Sequence, residues 1–317
     1  MIRSGIACVV ALATSACMVV SIDETTVFEP VAYDEALAKQ TGQTMVGELA
    51  FRSEADWNYV WASRAETDAG FPKQAAPYVA AKVEHGRFGT GEGGLAYTLV
   101  TRAAPSDTLV VRCGGNASTR QRSGYRYTVV AIPHGDVLLF DYPGYGETGG
   151  EASPERFQKM ADELVPLVRE KAAGRKIVLW GHSLGGLVCS ELAARLPETD
   201  GVIIETSARN AREVAEAWTP WYAAPFVRIE IAEGFGDIDV ANALKGFKGP
   251  VLVLGGEKDR TLSVELARSV GKALKDEGVA AEYVEFKGGG HSDLIVQESF
   301  AAVVAGFFAR VAAGSRS

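Results

Sequence analysis

The sequence predicts an α/β protein: a mainly parallel central sheet covered by helices on both faces, with a small cap insertion. Two observations carry that expectation. From residue 80 onward, short β-branched runs alternate with longer segments of helical period, the pattern that parallel strands and their crossovers require. The runs "DVLLF", "KIVLW", "GVIIE" and "PVLVLG" are almost wholly apolar, as expected of strands buried on both faces. With 317 residues, 47% of them hydrophobic and 23% charged, the chain has enough apolar mass for one large core.

The elements follow in order. Residues 1–23 read as a leader, because after Arg3 no charge occurs until Asp23. "ATSAC", ending at Cys17, resembles a bacterial lipobox, with Thr14 where leucine is usual. Three fates stay open: lipidation of Cys17, which would tether the domain to a membrane, cleavage as a secretory signal, or retention as an anchor. All three export the domain to the cell envelope. Residues 24–79 form an N-terminal extension of mixed, aromatic-bearing pattern that reads as helical turns, its role unreadable.

Strands are expected at "AKVEHGRF", "GLAYTLVTR" and "DTLVVRC", then a helix at "STRQRSGYRYTVVAI" and a buried strand at "DVLLFDYPG". A helix over 154–173 has Pro154 in its first turn and Gly174 at its end. Next come the strand "RKIVLWG", a helix after Ser183, the strand "DGVIIET" and an interrupted, cap-like insertion over 207–248. The chain finishes with "PVLVLGG", a helix over 263–275, "AEYVEFKG" and a last helix over 293–311. Residues 24–317 are therefore taken as one domain, with chemistry expected at the carboxyl ends of its strands.

The formal charge of −8 and the lack of any basic run exclude a nucleic-acid partner, whose phosphates require clustered Lys and Arg. No His, Cys, Asp and Glu cluster has metal-ligand spacing, so neither a metal nor another cofactor is expected. "GTGEGG" at 89–94 satisfies GxGxxG, but a strand pattern follows it rather than a helix, so it reads as a hairpin turn. Two of the four cysteines, Cys8 and Cys17, fall in the leader; Cys113 and Cys189 could pair in an oxidising compartment, but one ends a strand and the other sits in a helix, the usual setting of buried free thiols.

"GHSLG" at 181–185 fits GxSxG at a junction of strand and helix. Glycines on either side of such a turn allow a tight bend that pushes the serine hydroxyl into the open. Ser183 is the candidate nucleophile, and it needs a base. Of the four histidines, His182 is aimed elsewhere by the turn, and His85 and His134 read as packing or surface residues. His291, in "GGGHSDL" past the last strand, lies at the same end of the sheet as Ser183. Its carboxylate partner is expected to be Asp259, with Glu205 as the rival. Backbone N–H groups would hold an oxyanion: Leu184 after the serine, and Asn116 or its neighbour Gly115 in "RCGGNAST".

Five motifs in this order identify the resemblance: "GGNA" at 114–117, "DYPGYG" at 141–146, "GHSLGG" at 181–186, "GEKD" at 256–259 and "GGGH" at 288–291. The chain resembles the α/β-hydrolase superfamily and, within it, the Bem46-like serine hydrolases, over roughly residues 80–313. The resemblance implies cleavage of small-molecule carboxylic esters through a Ser-His-Asp triad and an acyl-enzyme. One position departs: the family's histidine before the glycine is Gly114, which removes a side chain that braces the loop. Tyr145 is a candidate substrate contact, and Trp218, Trp221, Tyr222 and Phe226 in the insertion either line an acyl pocket or pin the insertion to the core.

Overall fold

The computed structural model describes residues 18–31, 80–89, 94–236 and 238–314. Cys8, Cys17, the extension over 32–79 and the centre of "GTGEGG" lie outside them.

A short ribbon comes first. Strand β1 (Met18–Ile22) precedes α1 (Glu24–Val27), capped by the Asp23 carboxylate on the N–H groups of Thr25 and Thr26. The main sheet begins with β2 (Ala80–Phe88), β3 (Leu95–Arg102) and β4 (Thr108–Cys113), followed by α2 (Arg120–Ala131) and β5 (Asp136–Phe140). Helix α3 (Pro154–Ala172) has Ser153 as its N-cap, and Ala173 and Gly174 turn left-handed to end it. Strand β6 (Lys176–His182) runs into α4 (Leu184–Arg195), then β7 (Gly201–Glu205).

Between β7 and the next sheet strand lie α5 (Ala211–Trp218), a 3₁₀ turn (Ala224–Phe226), β8 (Val227–Ile231) and α6 (Val240–Ala243). The chain closes with β9 (Val251–Gly256), α7 (Val264–Asp276), β10 (Ala281–Phe286) and α8 (Phe300–Ala313). The last helix starts later than the periodicity suggests. A separate 3₁₀ turn (Leu294–Val296) comes before it, and Gln297 is extended, so 290–297 is shaped as a loop at the site.

The sheet order is β10-β9-β7-β6-β4-β5-β3-β2, and only β3 runs against the rest. One face packs Met160 and Leu164 of α3, Leu192 of α4 and Val270 and Leu274 of α7. The other packs Val129 of α2 and Val304, Phe307 and Val311 of α8. Both faces are covered, which accounts for the nearly continuous burial along β4, β6, β7 and β9. Apart from the sheet, β1 and β8 form a two-stranded parallel ribbon.

The structure corrects the reading of the two cysteines beyond the leader: Cys113 and Cys189 are joined by a disulfide, their Cα atoms 6.0 Å apart. Sequence separation had concealed their proximity. Helix α4 lies directly on the end of β4, since a Cβ at Gly185 would collide with the carbonyl oxygens of Cys113 and Gly114. Closing this loop stabilises the fold by on the order of 2–4 kcal/mol.

Candidate active site

Ser183 stands at the β6–α4 junction with φ 54° and ψ −122°, a conformation that few residues other than glycine adopt. Its N–H donates to the Glu205 carbonyl at 2.9 Å, and its carbonyl accepts from the Ser207 hydroxyl at 2.7 Å, so the strained turn is held from both sides. The residue remains half-buried, with its hydroxyl free of hydrogen bonds among the described residues. An uncommitted hydroxyl at a held turn is what an incoming electrophile needs.

His291 and Asp259 meet. The imidazole Nδ1 lies 2.8 Å from Asp259 Oδ2, while Oδ1 accepts from the N–H groups of Thr261 and Leu262 at 2.8 and 2.9 Å. The Asp259 side chain is 1% exposed and that of His291 is 17% exposed. The carboxylate is thus fixed in place, and the ring it holds is partly exposed. Glu205, the rival acid, is engaged elsewhere. It accepts from Trp180 Nε1 at 2.9 Å and pairs with the buried Arg112 at 3.6 Å. That guanidinium stacks over Trp180 and Tyr127. Burial lowers Arg112 to about 10, still a cation at neutral pH.

The "GGNA" loop lies against the serine: a Cβ on Gly115 would stand 3.4 Å from Ser183 Cβ and 2.8 Å from His182 Nδ1. Of the two candidate N–H groups, that of Gly115 is committed to the Tyr127 hydroxyl at 3.0 Å. The N–H of Asn116 has no acceptor among the described residues, and Leu184 opens α4, where a first-turn N–H has no partner within the helix. These two are the donors left for an oxyanion.

Gly114 lacks the side chain that braces this loop in the family it resembles, and tyrosines supply the bracing. Tyr142 donates to the Gly114 carbonyl at 2.5 Å, and Tyr127 holds Gly115. Tyr145 donates to Asn116 Oδ1 at 2.6 Å. Burial raises the Tyr142 and Tyr145 phenols, so both stay protonated donors. This corrects the reading of Tyr145 as a substrate contact: it is 0% exposed, and its hydroxyl is consumed by Asn116 and by the Glu29 N–H at 3.0 Å. The N-terminal segment joins the same network, with Asn116 Nδ2 donating to the Val27 carbonyl at 3.0 Å and the Glu29 N–H donating to Asn116 Oδ1 at 2.9 Å.

His182 links the loops on the two sides of the serine. Its Nε2 is 2.9 Å from the His291 carbonyl, an acceptor, so Nε2 carries the proton. Nδ1 then accepts from Tyr127 at 3.3 Å. Burial pushes this imidazole down to about 4, in keeping with a neutral ring that donates from Nε2 and accepts at Nδ1. The Thr206 hydroxyl also donates to the His291 carbonyl, at 2.9 Å. Sequence reasoning missed Tyr127, Tyr142 and Thr206; Tyr142 lies within "DYPGYG", but nothing local shows where its hydroxyl goes.

An apolar cavity adjoins the site. Phe28, Phe157, Leu184, Leu187, Phe235 and Ile238 contribute to its wall, so it borders one candidate oxyanion donor. Phe28 stacks on Phe157 at 4.1 Å and tilts against Phe235 at 5.3 Å. The aromatic residues expected there do not contribute to it. Trp218 is 49% exposed and Trp221 85% exposed, because α5 carries them past the cavity to the outer tip of its segment. Trp218 does act as a pin: its indole N–H donates to the Thr261 carbonyl at 3.1 Å, in the loop that holds Asp259. Among the described residues no group of His, Cys, Asp and Glu could hold a metal ion, and no helix is long and apolar enough to cross a membrane.

Comparison with known proteins agrees with this architecture. The family model described as "alpha/beta hydrolase fold" matches residues 128–228. Lysophosphatidylserine lipase ABHD12 of Macaca fascicularis is 26% identical over 181 residues, covering 53% of this chain and 45% of that protein. The uncharacterized protein MT2364 of Mycobacterium tuberculosis (strain CDC 1551 / Oshkosh) is 28% identical over 194 residues, covering 59% of this chain and 64% of its own length. The chain spans about half the length of the lipases it matches. Among solved structures, the Pyrococcus furiosus esterase Pf2001 aligns with a TM-score of 0.55 at 18% identity, over 72% of this chain and 90% of that one. MenH from S. aureus aligns with a TM-score of 0.51 at 18% identity, over 68% of this chain and 98% of its own. By its sheet order, its family match over 128–228 and the solved structures it resembles, the chain has the α/β-hydrolase fold.

Proposed function

We propose that the protein is a serine ester hydrolase acting on acyl esters, with lysolipids as the favoured class. The observation that carries the reading is the accessible Ser183 at a left-handed turn, at the same sheet end as an imidazole whose Nδ1 is bonded to Asp259 at 2.8 Å. In this reading Ser183 Oγ attacks the acyl carbonyl, and Nε2 of His291 takes the hydroxyl proton. Asp259 holds the Nδ1–H tautomer and stabilises the imidazolium, and the N–H groups of Leu184 and Asn116 receive the developing oxyanion. The imidazolium returns its proton to the departing alcohol, and water then releases the acyl group by the same route.

The apolar cavity beside Leu184 supports an acyl chain as the recognised part of the substrate. The relatives named lysophosphatidylserine lipase and esterase support the same class. The Cys113–Cys189 disulfide supports an oxidising compartment, in keeping with the proposed export of the domain to the cell envelope.

A fluorophosphonate probe tests the nucleophile. Native protein should be labelled and Ser183→Ala should not, with ester turnover falling on the order of 10⁴-fold or more. Undiminished turnover in the Ser183→Ala protein overturns the assignment. A panel of esters of increasing acyl length should then show a preference for longer chains, and a flat profile would exclude the cavity as acyl site.

A further inference from the structure

We propose that the outer tip of the segment between β7 and β9, bearing Trp221, Tyr222 and Phe226, is a docking surface for the interfacial layer of a phospholipid bilayer. The proposal does not rest on the hydrolytic reading.

These three side chains are 85%, 65% and 67% exposed, and Val19 on the adjoining ribbon is 51% exposed. Trp221 and Tyr222 meet each other edge to face at 5.9 Å. Isolated apolar residues on a surface are ordinary, but a run of large aromatic ones on a single turn is not. The turn is also built to display them: Pro220 accepts from the N–H groups of Ala223 and Ala224 at 2.8 and 3.0 Å, and Ala223 from that of Phe226 at 2.8 Å. The indole of Trp218 secures the base of the turn to Thr261. A surface already ordered loses little entropy when it is buried.

The path of the chain selects the occupant. Strands β1 and β8 are parallel and Met18 is in register with Val227, so the polypeptide enters β1 beside Phe226. The sequence carries no charge from Ser4 to Ile22, so an apolar stretch leads to the same edge as the aromatic tip. On β8 the exposed charges cancel, Arg228 pairing with Glu230 at 3.2 Å. A neutral surface rich in Trp and Tyr, fed by an uncharged stretch, suits the amphipathic zone between headgroups and acyl chains. The roots of this segment, Ala211, Phe235 and Ile238, line the apolar cavity, so docking the tip would hold the cavity's wall close to lipid.

The test uses the full chain and vesicles of dioleoyl phosphatidylcholine, with and without dibrominated acyl chains. Trp221 is one of five tryptophans, so the emission that W221F lacks reports on it alone. That component should be quenched about twofold or more by the brominated lipid, since an interfacial residue sits roughly 5–10 Å into the headgroup and acyl boundary. Addition of plain vesicles should also shield it from aqueous acrylamide. Equal emission on both vesicle types overturns the proposal, including the case in which the chain is held on the membrane by residues 1–22 alone. Shielding without vesicles that rises with protein concentration overturns it as well, since a second copy would then cover the tip.

Discussion

The "GGNA" loop and the aromatic tip share an expectation, contact with substrate, and the fold treats them in opposite ways. The loop's polar groups are tied by three tyrosine hydroxyls, by the carbonyl of Val27 and by a disulfide at its first residue's neighbour. The tip's apolar groups are left exposed, with Trp218 at its base bonded inward. Fixed dipoles are useful where charge develops, because they need no reorganisation during reaction. Exposed aromatic surface gains from burial only against something outside the molecule. Rigidity at one end and exposure at the other thus mark a positioning device and a contact surface.

The largest expected effect falls outside both regions, at the carboxylate that holds His291. Asp259→Asn should lower kcat on the order of 10⁴-fold with little change in KM, because the amide favours the wrong imidazole tautomer. Steady-state kinetics on a soluble ester checks this, and a loss below tenfold would return Glu205 to contention as the acid. Next is Tyr127→Phe, which deletes the oxygen accepting from Gly115 and donating to His182. We expect kcat to fall by roughly 10- to 100-fold with KM held, less than for loss of a donor itself. A change in KM alone would mean that the loop is held without this hydroxyl.

Acid should separate the regions by stability. Burial depresses His182 to about 4, and burial together with the Arg102 cation does the same to His134. The unfolded chain protonates both near pH 6.5, so stability is fully present above that pH and is lost as pH falls towards 4. The loss is on the order of a few kcal/mol, read from denaturant midpoints at pH 7, 5.5 and about 4.5. His182→Asn should flatten this slope, and an unchanged slope would remove His182 as a contributor. The smallest effect is expected at the tip: Trp221→Ala should change stability by no more than about 0.5 kcal/mol at any of these pH values. A larger change would mean that the indole packs inward.

Much of the fold was legible because its information is local. Apolar runs such as "KIVLW" and "PVLVLG" mark strands buried on both faces, and the glycines around Ser183 mark a bend that bulkier residues would block. The same legibility failed wherever a pairing joined distant residues. Cys113 and Cys189 read as separate thiols because one ends a strand and the other sits in a helix 76 positions on, and their proximity follows from Gly185 letting α4 rest on the end of β4.

Tyr145 and the tryptophans failed for a related reason. Residue type shows that an aromatic ring carries both apolar area and a polar group, but not which way it faces. Burial turned Tyr145 into a brace for Asn116, and the direction of α5 carried Trp221 to the surface.

The sequence by itself determined the succession of strands and helices, the tight turn at Ser183 and the candidates for nucleophile, base and acid, since these depend on periodicity and on residue chemistry within a few positions. Tertiary structure alone decided that Asp259 rather than Glu205 bonds His291, that Asn116 rather than Gly115 keeps its N–H free among the described residues, and that tyrosines replace the brace missing at Gly114. Each is a competition between groups for one partner, and its outcome depends on distances of about 3 Å that arise only once strands far apart in the chain lie side by side.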